Sequence, residues 1–319
     1  MLLHPDLSVR REQNVPAKSG MPTVTAVILN TNRCHDTVEC LASLAAGTYP
    51  AMRVLVLDNG STDGSVAAIR ERFPGVDVME LAENRGYAGN NNVGVRAALA
   101  TGTDWVFVLN EDTIVAPDCV EALVAVAAAD HRVGVVGPLV YHHDEPGIIQ
   151  SAGGGLTTWW EGFHHGENDP DGGQFRQPHE VEWVTGCGIL VRRDVIEEIG
   201  GLDERFYIYW EETEWCMRAR KAGWRIMHAP AARMWHKGVR RDYQPKPSVT
   251  YYSTRNRLLM LLIHRAPPRA WVVAWAQLVR TLVSWSVRPK WRSKRDHRNA
   301  MWRGMTDFLS ARWGEMPPQ

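Results

Sequence analysis

The chain has 319 residues, of which 45% are hydrophobic and 23% charged, and its 36 basic side chains equal its 36 acidic ones in number. This composition supports one large or two modest hydrophobic cores and excludes disorder for most of the chain. The formal net charge is zero, and we expect no nucleic-acid partner. The five cysteines include no Cys-x-x-Cys pair, which indicates reduced, mostly buried thiols in a cytoplasmic protein.

Residues 1–21 are polar and show no signal peptide, so we expect a loose N-terminal tail. Strand and helix signals then alternate from residue 23 to about residue 139, which predicts βαβ units and a parallel sheet. The predicted helices cover 34–46, 64–73, 88–100 and 117–129. The Gly-, His-, Asp- and Pro-containing stretch that follows is expected to form a mobile loop region over a site. This loop region covers 141–180. A strand is predicted next over 181–192, and a helix over 211–222.

The apolar runs that begin near residues 23, 54 and 105 each end on polar side chains. These side chains are, in chain order, Asn30 with Asn32, Asp58 with Asn59 and Asp63, and Asn110 with Glu111 and Asp112. Ligands bind beyond the carboxyl ends of parallel strands, so the pattern predicts a site at one sheet edge, where an acid can hold a metal on a phosphate. For a single turn, turn-forming residues with a helix cap at Asp63 are a sufficient explanation. Three such turns in succession favour a site.

Five ordered motifs resemble those of family-2 inverting glycosyltransferases, in particular bacterial rhamnosyltransferases that extend lipid-linked or cell-wall glycans. They are Asn-Thr-Asn at 30–32, Asp-Asn-Gly-Ser-Thr-Asp at 58–63, Asn-Arg-Gly-Tyr-Ala-Gly at 84–89 with Asn92, Leu-Asn-Glu-Asp-Thr at 109–113, and Gly-Gly-Leu-Asp-Glu-Arg-Phe at 200–206. The resemblance implies an α/β fold of the GT-A nucleotide-diphospho-sugar transferase type, with a mainly parallel central sheet over 22–256. Residues 257–319 are expected to form a helical, basic, Trp-rich extension.

The donor site follows from this resemblance and from charge. The implied nucleotide-sugar-binding residues are Asn30, Asn32, Asp58, Asn59, Asp63, Asn84, Arg85, Gly86, Asn92, Asn110 and Glu111. When the nucleoside diphosphate leaves, negative charge develops on its phosphate. A Mg²⁺ or Mn²⁺ ion held by few carboxylates stabilises this charge. Asp112 is the expected metal ligand, because Asn110 replaces the first acid of the family's Asp-x-Asp-like motif. His236 matches a family histidine that ligates the metal or contacts the diphosphate.

A cluster of three glutamates, Glu211, Glu212 and Glu214, begins the predicted helix at 211. On sequence alone, favourable interaction with the helix dipole explains them equally well. The resemblance places an acidic pair at Glu211 and Glu212, whose second member is the general base of an inverting transfer. Glutamate replaces the usual aspartate at 212, which adds a methylene. The acceptor therefore sits slightly farther from the helix, or Glu211 shares the role.

The acceptor side is assigned to residues 183–188. The named acceptor-binding residues are Trp183, Thr185, Gly186 and Cys187. The adjacent tryptophans at 159 and 160 either stack on sugar rings or pack within the loop, and the histidine pairs at 142–143 and 164–165 are interpreted as solvated loop residues.

Positive charge is concentrated in the C-terminal region, which has ten basic residues and one acid between 265 and 303. The same stretch contains five tryptophans. Trp271, Trp275, Leu278, Leu282 and Trp285 recur on one helical face, and Gln277 and Arg280 interrupt the apolar run, so the pattern is amphipathic and too short to span a membrane. This face packs either on the catalytic domain or on an anionic membrane surface. Attachment to the membrane suits the Trp and Arg flanks better.

The sequence thus favours a metal-dependent inverting glycosyltransferase of the hexosyltransferase class, peripheral on the inner face of the cell membrane. The expected donor is dTDP-rhamnose, the expected acceptor is a polyprenyl-linked or cell-wall glycan, and homo-oligomerisation is left open. A non-catalytic nucleotide-sugar or glycan-binding scaffold on the same fold is the alternative. A Rossmann dinucleotide site lacks its Gly-x-Gly-x-x-Gly, and a nucleotidyltransferase lacks a basic glycine-rich loop near the first strand.

Overall fold

A computed structural model describes residues 20–238 and 244–317, so the tail predicted over 1–21 lies almost wholly outside the described residues. The strands are β1 Val24–Asn30, β2 Met52–Asp58, β3 Asp77–Glu80, β4 Trp105–Asn110, β5 Thr113–Val115, β6 Val133–His142, β7 Ile149–Ser151, β8 Gly154–Leu156, β9 Gly162–His164, β10 His179–Glu180, β11 Gly188–Arg192 and β12 Arg225–His236. The helices are α1 Cys34–Ala45, α2 Ser65–Arg72, α3 Gly86–Ala100, α4 Cys119–Ala128, α5 Arg193–Ile199, α6 Glu211–Lys221, α7 Pro247–Ile263, α8 Pro268–Val287 and α9 Arg295–Leu309, with a 3-10 turn Pro289–Lys294 before the last.

The central sheet has the order β10-β12-β6-β11-β4-β1-β2-β3. β1 is parallel to β2 and β4, β2 is parallel to β3, and β6 is parallel to β12. β11 lies antiparallel between β4 and β6 and joins the two parallel groups. The α/β class and the mainly parallel sheet are therefore as predicted.

The first four helices begin and end within two residues of their predicted limits. The strand predicted over 181–192 is shorter, because its first half leaves the sheet and Trp183 forms a bridge with Gly154 of β8. Conversely, the region expected as irregular loop contains the four short strands β7 to β10. These strands are too short to produce a periodic pattern in the sequence.

The sheet is buried on both faces, and alternate residues of its strands face different cores. Phe107 and Leu109 of β4 pack with side chains of α1 and α4, whereas Val106 and Val108 pack with side chains of α3 and α6. This explains the uninterrupted apolar run in β4. A Cβ atom added at Gly94 of α3 would lie 2.4 Å from a Val27 methyl, so glycine sets the close approach of helix and sheet there. All five cysteines are free, and four are buried.

The last three helices share a separate hydrophobic core. Leu258 and Leu261 of α7, Leu278 of α8, and Met301 and Met305 of α9 are its buried members. α7 continues across the boundary that the sequence places at residue 256, so that boundary falls inside a helix.

The tryptophan-bearing face of α8 points into this core. Trp271, Trp275, Leu282 and Trp285 are partly buried against it. These rings therefore pack mainly against the other C-terminal helices rather than on the catalytic domain, and membrane attachment of this region stays a prediction. Among the described residues, no helix is long and apolar enough to cross a membrane.

Candidate active site

The carboxyl ends of β1, β2 and β4 meet at one edge of the sheet, as the sequence predicts. Asn30 is paired in register with Asp58, and the end of the β1–β4 register brings Asn110 alongside. β12 ends nearby, because its last residue His236 is paired with Thr113 of β5. This edge collects polar groups from four strands and is the candidate active site.

Asp58 is held at this edge by fixed hydrogen bonds. The Asn30 amide donates to Asp58 Oδ1 at 2.7 Å, and the Ser61 backbone amide donates to Oδ2 at 2.9 Å. Thr37 donates to Asn30 Oδ1 at 2.8 Å and so fixes the orientation of the amide. Asn30 is completely buried. Its part in the site is therefore to orient Asp58 and not to offer a surface to a ligand.

Three other predicted donor-side residues lie in the turns after β1 and β2. Asn32 has a left-handed backbone, with φ of 53°, and accepts a hydrogen bond from the Thr62 amide at 2.7 Å. Asn59 is partly buried beside it. Asp63 accepts from the first backbone amide of α1 at 2.9 Å and from that of α2 at 3.1 Å. Asp63 therefore caps two helices while its side chain stays exposed.

The turn before α3 is closed by Asn84, whose Oδ1 accepts a hydrogen bond from the Gly86 amide at 2.9 Å. Gly86 has a positive φ of 73°, and an added Cβ atom would lie 2.4 Å from the Tyr207 ring. Only glycine fits this position without displacement of the ring. The Arg85 side chain is exposed, so it is accessible to an anionic ligand.

α3 directs two further polar side chains inward. The Tyr87 hydroxyl lies 3.1 Å from Asn110 Oδ1 and 2.8 Å from the Gly186 carbonyl oxygen. Tyr87 thus joins the end of β4 to the predicted acceptor segment, a link that the sequence analysis missed. Asn92 is buried and exchanges two hydrogen bonds of 2.8 Å with the backbone of Leu202. Its observed contacts are structural and tie α3 to the 200–206 motif.

Asp112 and His236 form a nearly buried pair, with Asp112 Oδ1 3.2 Å from His236 Nε2. Burial acts to raise the pKa of Asp112, but the hydrogen bond and charge of His236 outweigh it and hold that pKa below its ordinary value. The Gln150 amide lies 3.1 Å from His236 Nδ1 and orients the ring. A Cβ atom at Gly238 would come within 2.5 Å of Asp112 Oδ2. Burial and the charge of Asp112 also raise the pKa of Glu111 to about 7.

Lys237 follows His236 and fixes this strand end to α1. Its Nζ lies 3.0 Å from Asp36 and also contacts Glu39. Together with His35, these two acids form the one group of three metal-ligand side chains in the described part of the chain whose ligand atoms lie within 4.8 Å of one another. Because Lys237 and Arg33 already pair with these acids, we interpret the group as an ion-pair network.

The three glutamates of α6 lie in three different environments. Glu211 is 4% exposed, and its Oε2 has no hydrogen-bond partner. Glu212 is partly buried, and its Oε2 also has no partner. Burial raises the pKa of both groups, with a further increase for Glu211 from the charge of Glu212. Glu214 is committed elsewhere, since it pairs with Arg218 at 2.8 Å and with His264 at 3.3 Å.

The acceptor segment passes directly in front of Glu212. A Cβ atom added at Gly186 would lie 3.5 Å from Glu212 Cβ and Cγ, so this segment packs directly on the Glu212 side chain. Thr185 and Gly186 are partly exposed, whereas Trp183 and Cys187 are buried behind them. Burial raises the pKa of the Cys187 thiol to about 12.

The backbone that leads into α6 is strained. Tyr207, Tyr209 and Trp210 all have positive φ, between 66° and 78°. The Asn256 side chain donates to three carbonyl oxygens of this segment at 2.8 to 2.9 Å. Arg255 donates at 3.0 Å to one of these, that of Phe206, and at 3.2 Å to the Arg205 carbonyl oxygen. Both side chains are completely buried. α7 therefore holds the conformation that presents the glutamate pair, and no sequence signal indicated this role.

The region 141–180 differs from prediction in its histidines. His142 lies within β6 and is 3% exposed. Burial lowers the pKa of His164 to about 4, and its Nδ1 lies 2.8 Å from the Ser151 hydroxyl. The interpretation of these two as solvated is therefore wrong. Trp160 packs against the C-terminal helical core, while Trp159 is 41% exposed.

Comparisons with known proteins agree with this geometry. The model of the family "Glycosyl transferase family 2" matches residues 25–200. N-acetylglucosaminyl-diphospho-decaprenol L-rhamnosyltransferase of Mycobacterium tuberculosis is 32% identical over an alignment of 216 residues, with coverage of 61% of this chain and 70% of that protein. dTDP-rhamnosyl transferase RfbF of Shigella flexneri is 22% identical over 201 residues, 60% and 65% of the two chains.

Solved structures show the same fold at low sequence identity. The mannosyltransferase PcManGT from Pyrobaculum calidifontis, in complex with GDP-Man and Mn2+, superposes with a TM-score of 0.57 at 17% identity and covers 91% of this chain and 88% of that one. Residues 1–349 of TarS from S. aureus superpose with a TM-score of 0.55 at 16% identity, with coverage of 91% and 83%. The expected GT-A type of fold is confirmed.

Proposed function

The chain belongs to glycosyl transferase family 2 and is a glycosyltransferase, and we propose that it is a metal-dependent inverting enzyme that transfers rhamnose from dTDP-rhamnose to a polyprenyl-linked glycan. One observation carries the proposal. Tyr87 connects the end of β4, next to the Asp112–His236 pair, to the segment that covers Glu212. This link places the proposed diphosphate site next to the carboxylate proposed as the base.

The donor set fits Mg²⁺ or Mn²⁺. Asp112 Oδ1 is buried and faces His236 Nε2 at 3.2 Å, and a bound cation would take the place of the proton between them. With Gln150 Oε1 accepting the Nδ1 proton, Nε2 keeps its lone pair for a metal, as second-shell partners of ligating histidines commonly arrange. A bound divalent cation would stabilise the charge of the leaving diphosphate. Asp112 and His236 would hold it, and the donor's phosphate oxygens would complete its coordination.

Glu212 supplies the base. Its Oε2 is buried and makes no hydrogen bond within the protein, so it can accept one from an acceptor hydroxyl. The carboxylate accepts the hydroxyl proton as the oxygen attacks the anomeric carbon from the side opposite the diphosphate. The raised pKa of Glu212 makes it a stronger proton acceptor than an exposed carboxylate. Glu211 is more deeply buried than Glu212 and is therefore less accessible to an acceptor.

Donor and acceptor are proposed from the named relatives. One relative is named a dTDP-rhamnosyl transferase and another an L-rhamnosyltransferase of N-acetylglucosaminyl-diphospho-decaprenol. Asp58 would bind the nucleobase, with Asn32, Asn59, Asp63 and Arg85 around the ribose and phosphates. Such an acceptor is membrane-bound, so we place the enzyme at the inner face of the cell membrane.

The test is a donor panel with purified protein. Thermal shifts are measured with dTDP-rhamnose, UDP-galactose and GDP-mannose, each with and without Mn²⁺. Transfer from each donor to a short-chain polyprenyl-diphospho-N-acetylglucosamine is then followed by mass spectrometry. We expect a Mn²⁺-dependent shift and product with dTDP-rhamnose, because a ligand that binds the folded state raises the unfolding temperature. Binding without transfer or donor hydrolysis would favour the scaffold alternative, and product from another sugar would refute the donor assignment.

A further inference from the structure

The outer face of α8 is apolar and exposed. Val272, Val279, Val283 and Val287 are 69%, 51%, 55% and 69% exposed, and Ala276 between them is exposed as well. Spacings of three and four residues place these five side chains on one helical face. The buried side chains Ala270, Ala274 and Leu278 lie on the opposite face, and the partly buried tryptophans flank them in the C-terminal core. α8 is therefore apolar on both faces, and one of them lies at the surface.

Positive charge surrounds this valine face. Between residues 265 and 295 the sequence contains eight Lys or Arg and no acid. Arg269 and Arg280 are exposed on α8, and Arg288, Lys290 and Arg292 are exposed directly beyond its end. A second copy of this chain would bring the same charges against themselves. A surface of anionic lipid headgroups over an apolar interior matches both features.

α8 is also connected to the acceptor side of the site. Gln277, on the flank of α8, donates to Glu161 in the β8–β9 hairpin at 2.6 Å. Arg257 of α7 lies 3.4 Å from the same carboxylate. In the same hairpin, a Cβ atom at Gly162 would lie 3.8 Å from the Trp210 ring, next to the glutamate pair. Direct contacts thus connect α8, through the β8–β9 hairpin, to the acceptor side of the site.

We propose that the valine face of α8, with the basic residues that follow it, docks on an anionic lipid bilayer and holds the acceptor cleft beside it. The docking is independent of the reaction, whereas its value for a lipid-linked acceptor rests on the proposed function. This surface differs from the one that the sequence suggested, since the tryptophans face inward and the valines face outward.

The experiment is co-sedimentation of the full chain with vesicles of phosphatidylcholine containing about 30% phosphatidylglycerol, and with vesicles of phosphatidylcholine alone. Binding is measured between about 0.1 and 1 M salt, where the Debye length falls from about 10 to 3 Å. One variant changes all four exposed valines of α8 to threonine, which keeps their shape. A second changes Arg288, Arg292 and Arg295 to glutamine. The matched control removes equal charge from exposed sites on the catalytic domain, through Arg53→Gln, Arg72→Gln and Arg96→Gln.

We expect binding to anionic vesicles that weakens with salt and falls at least tenfold in both α8-region variants, with the control within twofold of wild type. Unchanged unfolding temperatures and unchanged transfer to a water-soluble acceptor would show that fold and catalysis are intact. Equal loss in the control, or full binding by the valine variant, would overturn the proposal. A dimer in light scattering that the valine variant converts to monomer would assign the face to a subunit interface instead. Vesicle binding by a protein that transfers no sugar would refute the proposed function and leave the docking intact.

Discussion

Asn256 is the residue whose change most directly tests how α7 supports catalysis. Its side-chain nitrogen lies within 2.9 Å of three carbonyl oxygens of the segment before α6, and its Oδ1 accepts from Arg255 Nε at 3.0 Å. Leucine has a similar volume and no polar atoms. Asn256→Leu therefore removes the hydrogen bonds while nearly preserving the packing.

The expected cost follows from these contacts. Each buried group left without a partner costs about 1–3 kcal/mol, partly offset when backbone or water rearranges, so the loss is on the order of 3–6 kcal/mol. Tyr207, Tyr209 and Trp210 have left-handed backbones, each of which stores roughly 1–2 kcal/mol. The two sums are similar. Without Asn256 we therefore expect the segment to relax and Glu212 to move from its position.

Measuring kcat together with the unfolding temperature distinguishes a displaced Glu212 from a destabilised fold. We expect kcat to fall by about 10²-fold, as for a displacement of about 1 Å at a reacting group, with the donor dissociation constant unchanged. The control is Leu258→Ala, on the same helix but in the C-terminal core, which costs about 2–5 kcal/mol without touching the segment. If Asn256→Leu lowers the unfolding temperature but keeps kcat within twofold of wild type, or if Leu258→Ala loses as much activity, the positioning role is refuted.

Three further predictions concern the site. Asp112→Asn should abolish turnover and the metal-dependent thermal shift with donor, and full turnover in excess EDTA would contradict the metal assignment. Glu212→Gln should keep donor affinity and lower kcat roughly 10²–10⁴-fold, whereas a crippled Glu211→Gln beside an active Glu212→Gln would move the base one residue earlier. Burial raises the pKa of Glu211 in the folded state, so this state binds more protons than the unfolded one, and the free energy of unfolding falls as pH rises above about 4.5. Glu211→Gln should therefore be more stable than wild type at pH 8 and lose that advantage near pH 4, and a pH-independent difference in unfolding temperature would refute this linkage.

The local pattern of the sequence was sufficient for much of the fold. Alternating apolar runs and helical periodicity predicted β1, β2 and β4 and the first four helices, because buried strands and amphipathic helices produce periodic patterns in the sequence. The polar residues at three strand ends predicted one edge for Asn30, Asp58 and Asn110, since parallel strands share a direction. The short strands of 141–180 were missed because two or three residues carry no period.

What the sequence by itself determined is the family, the α/β class and the residue types of the site. Tertiary structure decided which of those residues face a ligand. The side chains of Asn30 and Asn92 hydrogen-bond within the protein. Tyr87 contacts Gly186, 99 residues away in the chain, and Gln150 contacts His236, 86 residues away. Structure also decided the faces of α8, because its sequence is apolar on two sides and only the position of α7 and α9 selects the one that is buried. Periodicity reports that a helix has an apolar face, and packing against distant segments determines what that face contacts.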